Sequence, residues 1–206
     1  MKITKMKNML AVFFAILLLL MGTQMAFAAP ILQDDFNTEN GGSGVLNYTG
    51  FANWTVSKGT VDLIGNDGFF DFYPGNGLYV DLDGTSGEAG LLSSKIIFAP
   101  GSYVVSFDLG GSQREGYDDG NVVDITMGIS DFSTSITRNT NDPLQLFTYN
   151  VTITTAGSLT FHNLGGDNVG AILDNVTVSA VPEPISLLLF GLGLVGLAGV
   201  RRKFKK

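Results

Sequence analysis

The chain has 206 residues, no cysteine, and 12 basic against 19 acidic residues, which leaves a formal net charge of −7. Eight of the basic residues lie near the two ends, so the four basic and eighteen acidic residues between positions 30 and 180 leave a balance of −14. This charge excludes nucleic acid as a partner, because that binding depends on basic residues that neutralise phosphates. The lack of cysteine excludes disulfides and thiol catalysis, so a hydrophobic core must hold the domain together.

The first 28 residues have the three parts of a secretory signal peptide. Three lysines precede an apolar stretch over 9–21, and Ala26 and Ala28 are small residues of the kind that signal peptidase accepts. We predict cleavage after Ala28. The alternative is a retained N-terminal anchor, but an apolar stretch of about 13 residues is too short to span a membrane comfortably.

The middle of the chain, 29–179, is predicted to be all-β. Short β-branched and aromatic runs alternate with Gly, Asn and Asp, and no long apolar period of 3.6 residues interrupts them. Their regular spacing favours a two-sheet antiparallel sandwich of the jelly-roll type over a propeller or a solenoid. The predicted strands are 54–63, 78–82, 91–98, 103–109, 122–129, 132–137, 144–154, 159–164 and 171–179.

Several short sequence segments in the middle region are similar to those of galactose-binding-like carbohydrate-binding modules. Among them are Asp34-Asp35-Phe36, Asn53-Trp54-Thr55-Val56 and Leu173-Asp174-Asn175-Val176. In such modules an acidic residue that opens the domain and an aspartate before the final strand often bind a structural calcium ion. The resemblance therefore implies Asp34 or Asp35, together with Asp174, as calcium ligands.

A second acidic group suits calcium by its chemistry. Asp81 and Asp83 lie on the same face of one predicted strand, with Glu88 a loop away, and calcium prefers oxygen ligands. The alternative is that these acids cap backbone amides in glycine-rich turns and keep the surface soluble.

Carbohydrate recognition needs flat rings with a few polar groups nearby. The candidate rings are Trp54, Tyr73, Tyr79 and Tyr117. Trp54 alternates with Val56, a pattern that favours the core, whereas Tyr117 stands in the charged loop 114–120 and is the better candidate. The aromatic cluster 69–73 is predicted to lie mostly in the core or at a sheet edge.

Catalysis has little support in the sequence. His162 alternates with apolar residues, which predicts a solvent-facing strand position rather than a base or a ligand. No nucleophile elbow or zinc-protease helix is present. A glycosidase needs only two carboxylates at a suitable separation, and it remains the distant alternative to a non-enzymatic role.

The tail predicts a membrane segment. Pro182, Glu183 and Pro184 separate it from the domain, because proline interrupts regular structure. The uncharged stretch 185–200 is a helix of roughly 24 Å at about 1.5 Å per residue, short for a hydrocarbon core of about 30 Å. The end 201–206 begins with Arg201 and Arg202, and its five positive charges favour the cytoplasmic side.

This order of features resembles the PEP-CTERM sorting signal of Gram-negative bacteria, with Pro182, Glu183 and Pro184 as the signature tripeptide. The resemblance implies recognition and processing by an exosortase, a membrane transpeptidase, and release to the surface or a polysaccharide matrix. The alternative is an ordinary C-terminal anchor behind a proline-rich stalk.

The sequence thus predicts three parts: a signal peptide at 1–28, a β-sandwich at 29–179 and a sorting segment at 180–206. We expect a protein anchored in the inner membrane with a periplasmic domain, which reaches the cell surface or extracellular polysaccharide after processing. The expected role is non-catalytic carbohydrate binding, with structural calcium as the one possible cofactor. The alternative is a matrix or adhesion protein without a defined glycan site.

Overall fold

A computed structural model describes residues 29–68, 70–114, 122–164 and 167–182, with residues 122–126 described by their backbone alone. The signal peptide predicted at 1–28 and the membrane segment predicted at 185–200 lie outside these ranges. Within them, no helix is long and apolar enough to cross a membrane. Residues Ala29–Ala180 form one compact unit.

Eleven strands and one short 3-10 turn, at Glu39–Gly42, make up the described part of this unit. The strands are β1 Pro30–Asp34, β2 Trp54–Ser57, β3 Asp62–Gly65, β4 Leu78–Asp81, β5 Leu91–Phe98, β6 Gly101–Gly110, β7 Val122–Ile129, β8 Phe132–Asn139, β9 Gln145–Ile153, β10 Gly157–Asn163 and β11 Ile172–Ala180.

The strands form two antiparallel sheets. In the six-stranded sheet β3, β4, β11, β6 and β9 lie side by side in that order, and β1 also pairs with β11. The five-stranded sheet has the order β2, β5, β10, β7, β8. The prediction of an all-β, two-sheet sandwich of the jelly-roll type is confirmed.

The core lies between the sheets and follows from the alternation in the strands. Tyr103, Val105, Phe107 and Leu109 of β6 are all buried, whereas the residues between them are partly exposed. Phe107 meets Phe161 of β10 across the sandwich, edge to face, with ring centroids 5.0 Å apart. Contacts of this kind stabilise by burial of apolar surface and by ring geometry.

One predicted strand is wrong. The stretch predicted as 54–63 is two strands in different sheets, β2 and β3, because the chain turns between them at Lys58, whose φ is 69°. Gly59 fits this turn because a Cβ there would lie 2.0 Å from the carbonyl oxygen of Glu88. The strand β1 was not predicted, whereas the other predicted strands match single strands with small shifts at their ends.

A second, smaller apolar cluster lies on the outer face of the six-stranded sheet. Ile64, Tyr79 and Ile172 are fully buried there, packed against Phe72 and Tyr73 of the segment between β3 and β4. The hydroxyl oxygen of Tyr79 accepts hydrogen bonds from the backbone N–H groups of Phe72 at 2.6 Å and Tyr73 at 3.1 Å. Tyr79 therefore anchors the loop to the sheet.

Candidate functional site

The carboxylate of Asp34 joins the two sheets. Its Oδ2 accepts hydrogen bonds from Nε1 of Trp54 at 2.8 Å and Nδ2 of Asn53 at 3.0 Å. Its Oδ1 accepts one from the backbone N–H of Phe36 at 2.9 Å. Trp54 is fully buried, which confirms the core position that its alternation with Val56 favoured and leaves its ring unavailable to a sugar.

Asp34, one of the calcium ligands that the resemblance implied, is already paired with donors of the protein. Three N–H groups donate to its oxygens, and these hydrogen bonds stabilise the buried carboxylate in place of water. Calcium is bound by oxygen ligands with free lone pairs, not by N–H donors.

Asp174 lies on the outer face of the six-stranded sheet, opposite Asp108 in the register of β11 and β6. Its carboxylate is 1% exposed and accepts hydrogen bonds from the backbone N–H of Asn175 at 2.7 Å and from Nδ2 of Asn76 at 2.6 Å. Burial, together with the charges of Asp108 and Asp35, raises the pKa of Asp174 to about 7.

The three predicted calcium ligands Asp34, Asp35 and Asp174 each accept hydrogen bonds from N–H groups, and their binding of calcium stays a prediction. Amide donors occupy both oxygens of Asp174, and Oδ1 of Asp35 accepts the backbone N–H of Asn37 at 3.1 Å. In the part of the chain that the structure describes, no group of three or more His, Cys, Asp or Glu residues could hold a metal ion.

The second acidic group is arranged differently from the prediction. Asp81 and Asp83 are fully buried, but Glu88 is exposed and takes no part. A third buried carboxylate, Asp62, faces Asp81 in the register of β3 and β4 and was missed because sequence spacing does not show cross-strand neighbours. Asp62 is satisfied by Thr85, whose hydroxyl donates to Oδ2 at 2.7 Å.

Arg114 is the counter-charge of this group. Its Nη2 donates to Oδ2 of Asp81 at 2.7 Å, and its Nη1 donates to the carbonyl oxygen of Asn168. Burial raises the pKa of Asp81 to about 7, although the Arg114 guanidinium opposes this shift. Arg114 thereby ties the segment after β6 to β4 and to the loop before β11.

The Arg114 guanidinium also lies over the aromatic ring of Phe70, which is exposed. Cζ of Arg114 lies 4.8 Å from the ring centroid of Phe70, and Phe70 stacks on Phe72 with centroids 6.0 Å apart. The side chain of Phe70 is 44% exposed. We call Phe70, Phe72 and Arg114 the aromatic loop surface. Sequence reasoning placed this cluster mostly in the core or at a sheet edge, since neighbouring aromatic residues alone do not show which ring reaches solvent.

The predicted ligand residues Tyr73 and Tyr79 serve mainly to hold this loop. Tyr73 packs edge to face on Tyr79 with centroids 5.6 Å apart, and the Tyr73 hydroxyl is buried without a hydrogen-bond partner. Burial raises the pKa of each of these phenols to about 12. Neither ring offers a fully exposed face to a sugar.

Several predicted residues lie outside the described ranges, and Pro182 is the last residue within them. Those outside are Tyr117, the cleavage-site residues Ala26 and Ala28, and the sorting-signal residues Glu183, Pro184, Arg201 and Arg202.

His162 lies on the outer face of the five-stranded sheet and is half-buried. Burial and the nearby charge of Lys58 lower its pKa, so the ring is neutral at pH 7.

Comparison with solved structures places the domain among β-sandwich proteins. The K3 adhesin domain of Lys-gingipain from Porphyromonas gingivalis aligns with 74% of this chain and 98% of its own, at a TM-score of 0.51 and 16% identity. This likeness shows the fold. The CBM22-1 xylan-binding domain of Paenibacillus barcinonensis Xyn10C covers 78% of this chain and 99% of its own, at a TM-score of 0.46 and 15% identity.

The CBM22-1 and GH10 modules of Clostridium thermocellum xylanase 10B align over 76% of this chain, at a TM-score of 0.44 and 12% identity. The match covers 29% of that xylanase chain. No curated protein matches this chain in sequence.

The tail is recognised by its sequence. Residues 180–203 match the PEP-CTERM protein-sorting motif, as the tripeptide predicted. The motif implies an exported, membrane-anchored protein that an exosortase processes.

Proposed function

We propose that this chain is an exported, non-catalytic protein whose sandwich binds a neutral polysaccharide at the aromatic loop surface. The observation that carries the proposal is the exposed ring of Phe70, held by the Arg114 guanidinium 4.8 Å from its centroid. Aromatic faces pack against the C–H faces of sugar rings, while nearby polar groups bind the hydroxyls.

The backbone at Phe70 supports this role. Its φ is 51°, a left-handed conformation that costs an ordinary residue about 1 to 2 kcal/mol. In this conformation the Phe70 ring lies next to the Arg114 guanidinium and is partly exposed. Strained residues cluster at binding sites, where the surrounding structure over-determines their position.

Polar groups for sugar hydroxyls lie in the same loop. The carboxylate of Asp71 is half-buried, with Oδ2 accepting the backbone N–H of Asp67 at 3.0 Å and Oδ1 contacting the Tyr79 hydroxyl at 3.2 Å. A carboxylate has about four lone-pair positions, so Asp71 can still accept a hydrogen bond from a ligand. The strongly acidic domain repels anionic polysaccharides, and a neutral glycan is therefore the better ligand.

The tail supports export as the setting of this function. We infer a signal peptide at 1–28, a sandwich at 29–179 and a sorting segment at 180–206, handled in turn by signal peptidase and an exosortase. The segment 185–200 would hold the protein in the inner membrane, with the domain in the periplasm, until processing releases it to the surface or to extracellular polysaccharide.

Binding of neutral polysaccharides to the purified full-length chain tests the proposal, by affinity electrophoresis or on a glycan array. We expect saturable binding that Phe70→Ala weakens about tenfold, a loss of about 1.4 kcal/mol. The matched control is Ile97→Ala, which removes a side chain that is 69% exposed on the five-stranded sheet and should leave binding unchanged.

Absence of binding in the wild type, or equal binding by Phe70→Ala, would overturn the proposal. Retention of the wild type in a cell-surface matrix without glycan affinity would then favour the structural role instead.

A further inference from the structure

The strand β9 forms one edge of the six-stranded sheet. It pairs with β6 at nine consecutive positions without a shift of register, whereas the pairings of β1 with β11, β10 with β5 and β11 with β6 each contain an irregularity. Among the described strands, none pairs with the other side of β9. A regular edge of this kind presents backbone N–H and C=O groups that can pair with the strand of another chain.

β9 lacks the features that usually protect an edge strand from other chains. Those features are charged side chains, proline, β-bulges and short length. The segment 144–153 contains no charged residue and no proline. Every second residue of β9 is exposed on the outer face of the sheet: Leu146, Thr148, Asn150 and Thr152. The edge is therefore open to pairing in its chemistry as well as in its geometry.

The inner face of β9 holds the strand in place. Phe147 and Tyr149 stack on Phe107 of β6, with ring centroids 5.8 and 6.1 Å away. Nη1 of Arg138 in β8 donates to Oε1 of Gln145 at 3.0 Å. Because these contacts fix the strand before a partner arrives, pairing at its edge costs little conformational entropy.

Charge favours a second copy of this chain as the partner. The region between positions 30 and 180 has a balance of −14, so two copies repel each other over most of their surfaces. The uncharged edge of β9 lets two copies approach with little repulsion. A basic segment of another protein would be attracted to the acidic parts of the surface instead.

We propose that β9 pairs with β9 of a second copy in antiparallel orientation, around a two-fold axis at Tyr149, the middle residue of the strand. The pairing joins the two six-stranded sheets into one sheet of twelve strands. A two-fold axis makes the contact self-complementary, so the assembly closes as a dimer. Backbone hydrogen bonds supply the affinity. The inference goes beyond glycan binding and does not depend on it.

Cysteine cross-linking of the purified full-length chain tests the pairing, because the wild type has no cysteine. With the axis at Tyr149, residue 146 lies opposite residue 152 of the second copy. Opposite residues have Cα atoms about 4.5 to 5.5 Å apart, which a disulfide can bridge. The two copies of residue 146 are about 20 Å apart along the strands, and so are those of residue 152.

Leu146→Cys alone and Thr152→Cys alone should therefore form few disulfide-linked dimers on a non-reducing gel, whereas an equimolar mixture of the two variants should form many. The matched control is Thr55→Cys, at an exposed position of β2, which is an edge strand of the other sheet. A mixture of Thr55→Cys with either variant should form no more dimers than the single variants.

Sedimentation equilibrium of the full-length chain in detergent provides a second test. We expect the mass of the wild type to rise from one copy to two with increasing protein concentration. Thr148→Asp should weaken this association about tenfold or more, because each dimer gains two negative charges at the paired edge. Thr55→Asp adds the same charge at the edge of the other sheet and should associate as the wild type does.

A wild type that stays monomeric at every concentration would overturn the proposal and leave the edge to a strand of a different protein. Equal association of Thr148→Asp and the wild type would also overturn it, since the contact would then lie elsewhere, in the tail for example. So would cross-linking of Leu146→Cys alone that equals the mixture, because antiparallel pairing excludes that result. Since none of these measurements involves a glycan, they are distinct from the test of the proposed function.

Discussion

The indole nitrogen of Trp54 donates a 2.8 Å hydrogen bond to Oδ2 of Asp34, and this contact joins the last residue of β1 in one sheet to the first residue of β2 in the other. Both side chains are buried, so the carboxylate depends on protein donors in place of water. Hydrogen bonds to charged groups stabilise by about 1.5 to 3 kcal/mol, more than bonds between neutral groups.

Replacing Trp54 by Phe should therefore lower the free energy of unfolding by about 2 to 4 kcal/mol, through the lost hydrogen bond and the lost packing. Urea denaturation measures this loss. Asn53 would still donate to Asp34, which limits the effect. Leu146→Ala, at a position 64% exposed, is the control and should change stability by less than about 0.5 kcal/mol. An equally small effect of Trp54→Phe would contradict the role assigned to this contact.

The free energy of unfolding should depend on pH because the pKa of Asp174 is raised in the folded state. Its pKa is raised from 3.8 to about 7 by burial first, then by Asp108 of β6 and Asp35 after β1. The folded state holds a proton that the unfolded state releases, so this group's contribution to stability is present at low pH. It is lost as the pH rises from about 4 to about 7.

The loss attributable to Asp174 is on the order of 4 kcal/mol over this range. Urea unfolding of the wild type and of Asp174→Asn at several pH values isolates it, because the variant cannot titrate at this position. We expect the variant to gain stability relative to the wild type as the pH rises. A difference between the two proteins that stays constant with pH would show that Asp174 titrates normally.

Gly59→Ala should destabilise the domain by more than about 2 kcal/mol, since its Cβ would lie 2.0 Å from the carbonyl oxygen of Glu88, a backbone atom that cannot move aside cheaply. Gly101→Ala is the matched control, because its Cβ would meet Tyr103 at 3.5 Å, an ordinary contact. Denaturant midpoints of the two variants give the comparison. Equal midpoints would mean that the turn between β2 and β3 can relax.

Replacement of Pro182 and Glu183 by alanine should prevent processing of the tail. Intact-mass analysis of the exported protein, with fractionation, detects a C-terminal cut in the wild type and its absence in the variant. Identical masses that both retain the basic end would mean that the matched motif at 180–203 acts as a plain anchor.

Local patterns predicted much of the fold and little of the site. The alternation from Tyr103 to Leu109 predicted a strand with one buried face because side chains on a strand alternate between its two faces. The split between β2 and β3 was not predicted, since both halves have strand-like residues and the turn at Lys58 brings Gly59 next to Glu88, a residue distant in the chain. The alternation with Val56 favoured the core for Trp54, but the sequence alone did not show that Phe70 is exposed.

What the sequence by itself determined is the all-β class, the alternating core strands and the sorting motif, because each depends on residues close together in the chain. The tertiary structure decided which polar groups meet. Asp34 binds Trp54 across the sheets, Arg114 contacts both Asp81 and Phe70, and Asp83 keeps a buried oxygen without a donor. These contacts join residues distant in the chain, and their geometry is set by the packing of two sheets and the loops at their ends.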